Sequence, residues 1–217
     1  TSNEELIEDN SGMYMMEDDY GDSFYFRGDI SNNYVFFGGF YWQILRINGD
    51  GSIRLIYYGK QLDGTDAYIG ISAYNNLDND NTYFGYLYGK SGAPNYLEAH
   101  TNDHNSTIKS VIDSWYIGSR LIKYESYLND TLFCNDRSLA KGFEQNGFGQ
   151  KGTKYEVQVR GDNKTPSLKC LNQNDRLTVS DATIGNPVLK YPIALITVDE
   201  GMLAGAVTSV ANNKYFL

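Results

Sequence analysis

This chain of 217 residues is short of positive charge, histidine, cysteine and long apolar runs, and each shortage removes a class of function. It carries 18 Lys+Arg against 27 Asp+Glu, a formal net charge of -9. Nucleic acid and anionic membrane both demand clustered positive charge, so neither is expected as the main partner. No apolar run approaches the ~20 residues of a membrane span; the longest candidates are 191–198 and 36–41. Residues 1–9 are polar and acidic and do not read as a signal peptide, so a membrane is expected to matter only through an anchor not present in the sequence. The only histidines, His100 and His104, have Asp103 beside them and a spacing that binds Zn²⁺ on a helix. The glutamate of an HExxH motif is missing, however, and 98–104 reads as a loop leading into a helix cap. The glycines of 141–152 are irregularly spaced and follow no clear strand, so they do not read as a phosphate cradle. No catalytic, cofactor-binding or metal-ligating residue is assigned, and no cofactor is expected.

Two cysteines, Cys134 and Cys170, are also a number that reducing compartments tolerate, so the count alone decides little. Both lie beside loop-like sequence, Asn135-Asp136 and Pro166-Ser167, where a bridge would staple a long excursion, and they are expected to pair. The enclosed loop would contribute roughly 3–4 kcal/mol by the chain-entropy model.

What is present in quantity is aromatic: 19 Tyr, 10 Phe and 2 Trp. Tyr with Asn suits an exposed surface for stacking and hydrogen bonding, but a Tyr-rich β protein also has many half-buried strand positions. The organising stretch is 33–58, NYVFFGGFYWQILRINGDGSIRLIYY. Gly38-Gly39 and Asn48-Gly49-Asp50-Gly51 separate three apolar runs and supply the positive φ that tight hairpins need. An antiparallel three-stranded meander is expected. Regular alternation in its middle strand would place Tyr41, Gln43, Leu45 and Ile47 on one face and Trp42, Ile44 and Arg46 on the other.

Around this meander the expected elements follow in order. Residues 1–13 read as a flexible arm and 14–217 as a single α+β domain. A strand is expected at 23–27. Glu17, Asp18, Asp19 and Asp22 read as a solvated acidic face, because they lack the ligand alternation and central Gly of a Ca²⁺ loop. Asp78, Asp80 and Asn81 resemble half of such a loop, with no closing Glu. The Tyr/Asn/Asp-rich excursion 59–92 is the best candidate for a ligand surface, with Tyr74, Tyr83, Tyr86 and Tyr88 as its contact residues. Residues 106–128 are the principal helical region, capped by Asn105 or Ser106 and ended or kinked at Gly118-Ser119. Its apolar stripe would be Ile108, Val111, Ile112 and Trp115, packed on the meander. Alternation makes 155–160 a strand; 177–179 reads as another, and 191–198 as a strand buried on both faces. A short helix follows at 200–206, with Asp199 as its cap. The fold class is therefore α+β: a mainly antiparallel sheet with a three-stranded meander, one principal helix and long loops.

Several pieces in a fixed order resemble an uncharacterised module of surface and secreted proteins in Gram-positive gut bacteria. They are DYGDSFYFRG (19–28), NNYVFFGGFYWQILRINGDGSIRLIY (32–57), VIDSWY (111–116), FCNDRS (133–138), PSLKC (166–170) and YPIALITVDE (191–200). The resemblance covers most of the chain. It implies an exported module in which Cys134 and Cys170 are the paired cysteines, with a C-type-lectin-like layout. It also implies a Trp-Ser-Pro-type segment and a closing strand beyond Leu217. It implies no established activity.

The leading functional expectation is an extracellular, non-enzymatic binding or surface-assembly module, adhesin-like, whose partner is an extracellular ligand or surface protein. The alternatives are a cell-wall or glycan-directed hydrolase using two of Asp136, Asp181, Asp199 and Glu200, for which carboxyl separation is decisive, and a pilin-like subunit head preceded by a long apolar helix.

Overall fold

The computed structural model describes residues 11–75, 83–90, 93, 95–143 and 154–206. In chain order the elements are β1 (Gly12–Glu17), β2 (Asp22–Arg27), β3 (Tyr34–Phe37), β4 (Phe40–Ile47), β5 (Ile53–Gly59), β6 (Leu87–Tyr88), α1 (Tyr96–Ala99), β7 (His104–Asn105), α2 (Thr107–Gly118), β8 (Phe133–Cys134), α3 (Glu156–Asn163), β9 (Arg176–Thr178), β10 (Asn186–Pro187) and α4 (Val198–Ala204). The class is α+β, with an antiparallel main sheet. The chain forms two compact units that it visits alternately. Of the described residues, 11–69, 160–169 and 196–206 belong to the first unit and the remainder to the second.

The expected meander is the heart of the first unit. β3, β4 and β5 pair antiparallel in sequence order. Gly38 and Gly39, at φ 63° and 90°, make the β3–β4 turn in the left-handed conformation a two-residue hairpin requires. β2 also pairs with β4, through Phe24↔Ile47 and Tyr25↔Arg46, so β2 and β3 take successive parts of one β4 edge while β5 takes the other. Asn33 bridges the junction: Ile44 N donates to its carbonyl at 2.7 Å and its own Nδ2 donates to Ile44 O at 3.1 Å. β1 completes the five strands against β2. Gly12 and Met13, expected in the flexible arm, are its first two residues; positions 1–10 lie outside the described residues.

Alternation in β4 fails where the register shifts against β5 between Ile44 and Arg46. The extra residue there is a bulge, which changes the phase of the side chains. Phe40 and Trp42 are buried on one side of it, and the adjacent Leu45 and Arg46 are both buried after it. Trp42 packs edge-on to Phe40 and Tyr57, and its Nε1 donates to Phe37 O at 2.9 Å.

The helix that packs on this sheet within the unit is α4, against β2. Its N-cap is Thr197, in a reciprocal capping box with Glu200, rather than the expected Asp199. Asp199 is instead held by Arg160, at 2.8 and 2.7 Å, and accepts from Ser167 N at 2.9 Å. Glu200 lies 3.2 Å from Arg46, and Arg46 in turn lies 2.9 Å from Asp18. Asp18, expected on a solvated acidic face, is only 4% exposed. Its carboxylate accepts from Arg46 and from the backbone of Tyr20, Gly21 and Gly49, which compensates its burial. Arg27, 1% exposed, donates to Met202 O and Leu203 O, placing a cation at the helix C-terminus where the dipole favours it.

The second unit has little regular sheet. β6 pairs with β7, and β8, β9 and β10 form a small three-stranded sheet. α2 starts at the expected cap Ser106, ends at Gly118, and is followed by a 3-10 stretch, Leu121–Tyr127. It belongs to this unit, where it packs on that stretch and on β7. Its buried face is one position removed from the expected stripe. Lys109, Ile112, Asp113 and Tyr116 are inside, whereas Val111 is 37% exposed. Lys109 Nζ sits 2.6 Å from Asp113 Oδ2, so the two charges enter the interior as a pair.

Two expected strands are absent. Of residues 155–160, Tyr155 makes only an isolated bridge to Leu139 and 156–160 fall in the start of α3: Glu, Gln and Arg are good helix formers, and a short alternation cannot outvote them. Residues 191–197 run irregularly. Pro192 has no N–H to offer a ladder, and Ile193 N turns back to Tyr191 O at 2.8 Å.

Candidate functional site

The aromatic segment 83–88, YFGYLY, is the best-built feature of the second unit. Its backbone is held by the residues that follow β8. Asn135 Oδ1 accepts from Tyr86 N at 2.5 Å and Leu87 N at 3.4 Å, while Nδ2 donates to Leu87 O at 2.9 Å. A single amide side chain thereby does the work of a neighbouring strand. Arg137, fully buried, adds Nη1 to Leu87 O at 3.0 Å and Thr101 O at 3.3 Å, and Nη2 to Asn102 Oδ1 at 2.8 Å. Its charge is met by Asp175 Oδ1 at 2.7 Å. Gly85 is obligatory here. At φ 116° an added Cβ would lie 2.5 Å from Arg137 Cδ and 2.9 Å from Asn135 Oδ1.

The same strand carries the disulfide. Cys134 in β8 bonds Cys170 across a Cα–Cα distance of 5.6 Å, as expected, and β8 pairs with β9 through Cys134↔Arg176. The bridge thus braces the strand that leads directly into Asn135 and Arg137.

The four tyrosines singled out in the sequence do not share one environment. Tyr83 and Tyr88 are half-buried and meet edge to face, 4.9 Å between centroids. Tyr88 pairs across β6–β7 with the exposed His104, whose ring is 5.7 Å away. Tyr74 is 45% exposed, and its carbonyl accepts from Ile108 N at 3.2 Å. The neighbouring Asn75 accepts from Thr107 N at 3.3 Å and donates to Tyr83 O at 2.6 Å, which ties the aromatic segment to the N-terminus of α2. Tyr86, expected at the surface, is only 5% exposed. Its hydroxyl donates to Ile193 O at 3.4 Å, Lys109 Nζ lies 5.6 Å from its ring centre, and burial pushes the phenol well above its ordinary pKa. Tyr86 lies just before β6 and turns inward where Asn135 holds its amide, whereas Tyr88 lies within the strand beside His104.

The carboxylates considered for hydrolysis are engaged in structure. Burial alone would push Glu200 up, but Arg54 and Arg46 outweigh it and hold the carboxyl below its ordinary value. A general acid needs the opposite shift. Asp199 faces the Arg160 guanidinium. Asp181 accepts from the Thr183 hydroxyl and amide, which lower its pKa and close a local turn. Asp136 is half-buried in a left-handed backbone conformation, φ 50°.

Among the described residues no group of three or more His, Cys, Asp or Glu is placed to hold a metal ion. His100 and His104 have different surroundings, the former buried and the latter exposed. Asp78, Asp80 and Asn81 lie outside the described residues.

The roles of Asn135, Arg137 and Asp130 were not read from sequence. Asp130 accepts from the amides of Val179, Ser180 and Asp181 at 2.6–2.8 Å and from the Ser180 hydroxyl at 2.8 Å, which fixes the loop beyond β9. For Asn135 and Arg137 the available signal was a place within three residues after a cysteine. No family model, curated protein or solved structure matches the chain.

Proposed function

We propose that this chain is an extracellular, non-enzymatic binding or surface-assembly module, and that Tyr74, Tyr83 and Tyr88, with His104, form its ligand contact. The observation that carries the reading is the fixation of the aromatic segment by Asn135 and Arg137 beside a disulfide-bearing strand. Preorganised rings bind without a further ordering cost. Disulfides persist in oxidising compartments, which supports an exported setting. The resemblance of 32–57, FCNDRS, PSLKC and YPIALITVDE to modules of Gram-positive surface and secreted proteins supports it too.

The test is an array of glycans and peptides at neutral pH, with and without Ca²⁺, probed with the wild-type chain and with Tyr83→Ala/Tyr88→Ala. The double variant should lose about tenfold in affinity for whatever the wild type captures, each ring being worth ~0.5–1.5 kcal/mol. Capture of nothing refutes the binding reading. Capture that the double variant retains refutes this site.

A further inference from the structure

His100 occupies the turn after α1, and its ring is 1% exposed. It stacks on Tyr96 at 4.1 Å between centroids and lies tilted 6.3 Å from Tyr155. Nδ1 is 3.0 Å from Tyr96 O, so the neutral ring donates there and leaves Nε2 unprotonated. Among the described residues Nε2 has no hydrogen-bond partner. A proton arriving at Nε2 would therefore create a cation with no acceptor among the described residues.

The charged groups around it do not rescue that cation. Arg137, from the loop after β8, is a second buried cation and opposes it. Asp175, from the 3-10 turn Gln173–Asp175, favours it, but its carboxylate already accepts from Arg137 N, Arg137 Nε and Asn172 Nδ2. The facing phenols of Tyr96 and Tyr155 are neutral in acid. Burial first and Arg137 second hold the imidazole down at about 4.

The turn that carries this ring is also a fastening point. His100 O accepts from Asn174 Nδ2 at 2.5 Å, Thr101 O and Asn102 Oδ1 accept from Arg137, and Asn102 Nδ2 donates to Asn174 O at 2.8 Å. Beyond it come β7 and His104.

We propose that His100 is an acid latch: proton uptake at Nε2 drives the ring from its aromatic slot and releases residues 96–105 from Arg137 and Asn174, while the sheet of the first unit stays closed. This inference does not depend on the ligand reading.

Amide hydrogen exchange, corrected for intrinsic rates, tests it between pH 7 and 4.5. In the wild type the protection of 96–105 should fall roughly 50- to 100-fold as the linkage between the unfolded and folded values unfolds. Amides of β4 and β5 should not change. His100→Gln should show no such fall, and His104→Gln should behave as wild type. Unchanged protection in the wild type, or an equal fall in His100→Gln, overturns the latch. Should His100→Gln fail to fold, the ring titration of the wild type decides by NMR: an apparent pKa below 5 supports the latch, and one near 6.5 overturns it.

Discussion

In the first unit the backbone largely satisfies itself: five strands close a hydrogen-bonded ladder, and buried ion pairs fasten one helix to it. In the second unit side chains supply the partners that a ladder would. Asn135 stands in for a strand beside 86–87, Asp130 holds three successive amides, Arg137 collects two carbonyls, and Asn186 Nδ2 donates to Gln173 O and Arg176 O. Buried backbone groups must be paired by some means. A region with few strands therefore needs many Asn, Asp and Arg side chains. Part of the Asn/Asp richness that reads as a recognition surface is internal architecture.

Replacing the central arginine of each unit makes the sharpest comparison. Arg137→Met leaves the buried Asp175 carboxylate without a cation, held only by the backbone amide of 137 and Asn172 Nδ2, and strips two carbonyls, and should cost ~3–5 kcal/mol. Arg46→Met should cost less, about 2–3 kcal/mol, because Arg54 still faces Glu200 and three amides still hold Asp18. Denaturant unfolding of both variants checks the order, and equal losses would mean that the two units depend equally on their central arginines.

Between these two losses in size lies that of the disulfide. Cys134→Ser with Cys170→Ser should lose roughly 3–4 kcal/mol. Hydrogen exchange should locate the loss in the second unit and spare β3–β5. A uniform loss would mean that the units do not differ in this respect.

Acid should separate the units by order of opening. Glu200 has its folded pKa below the ordinary 4.5, so its stabilisation is present above 4.5 and is lost only as pH falls through the lower folded value. His100 has its folded value below the ordinary 6.5, so its contribution already begins to fade as pH falls below 6.5 and fades further until about 4. The second unit should loosen first on an acid ramp followed by exchange. The smallest effect expected is that of Thr197→Ala, about 1 kcal/mol for a lost cap. Arg46 continues to hold Glu200 there, and a melting shift well beyond that scale would give the capping box a larger share than the ion pairs.

Local chemistry made several elements legible. Gly38-Gly39 and the β-branched and aromatic runs around them mark the meander, and Ser106 and Gly118 mark the two ends of α2. The pairing of Cys134 with Cys170 could be read as well, from loop-like flanks. Three features could not. The bulge at Leu45 leaves no mark in the amino-acid pattern. The buried stripe of α2 contains Lys109 and Asp113, which an apolar count passes over, because their charges cancel only once they are folded four positions apart. Tyr86 is as aromatic as Tyr88, and only distant partners, Asn135 at its amide and Ile193 O at its hydroxyl, place it inside while Tyr88 stays half out.

The sequence alone determined the class, the three central strands, the principal helix and the bridge, because each depends on contacts between near neighbours or on rare residue types. Tertiary structure decided how the chain is shared between the two units, why Asp18, Asp199 and Glu200 are interior, and what holds the aromatic segment. Those outcomes depend on partners far away in sequence, such as Arg46 with Glu200 or Asn135 with Tyr86, and no local propensity encodes a partner at that distance.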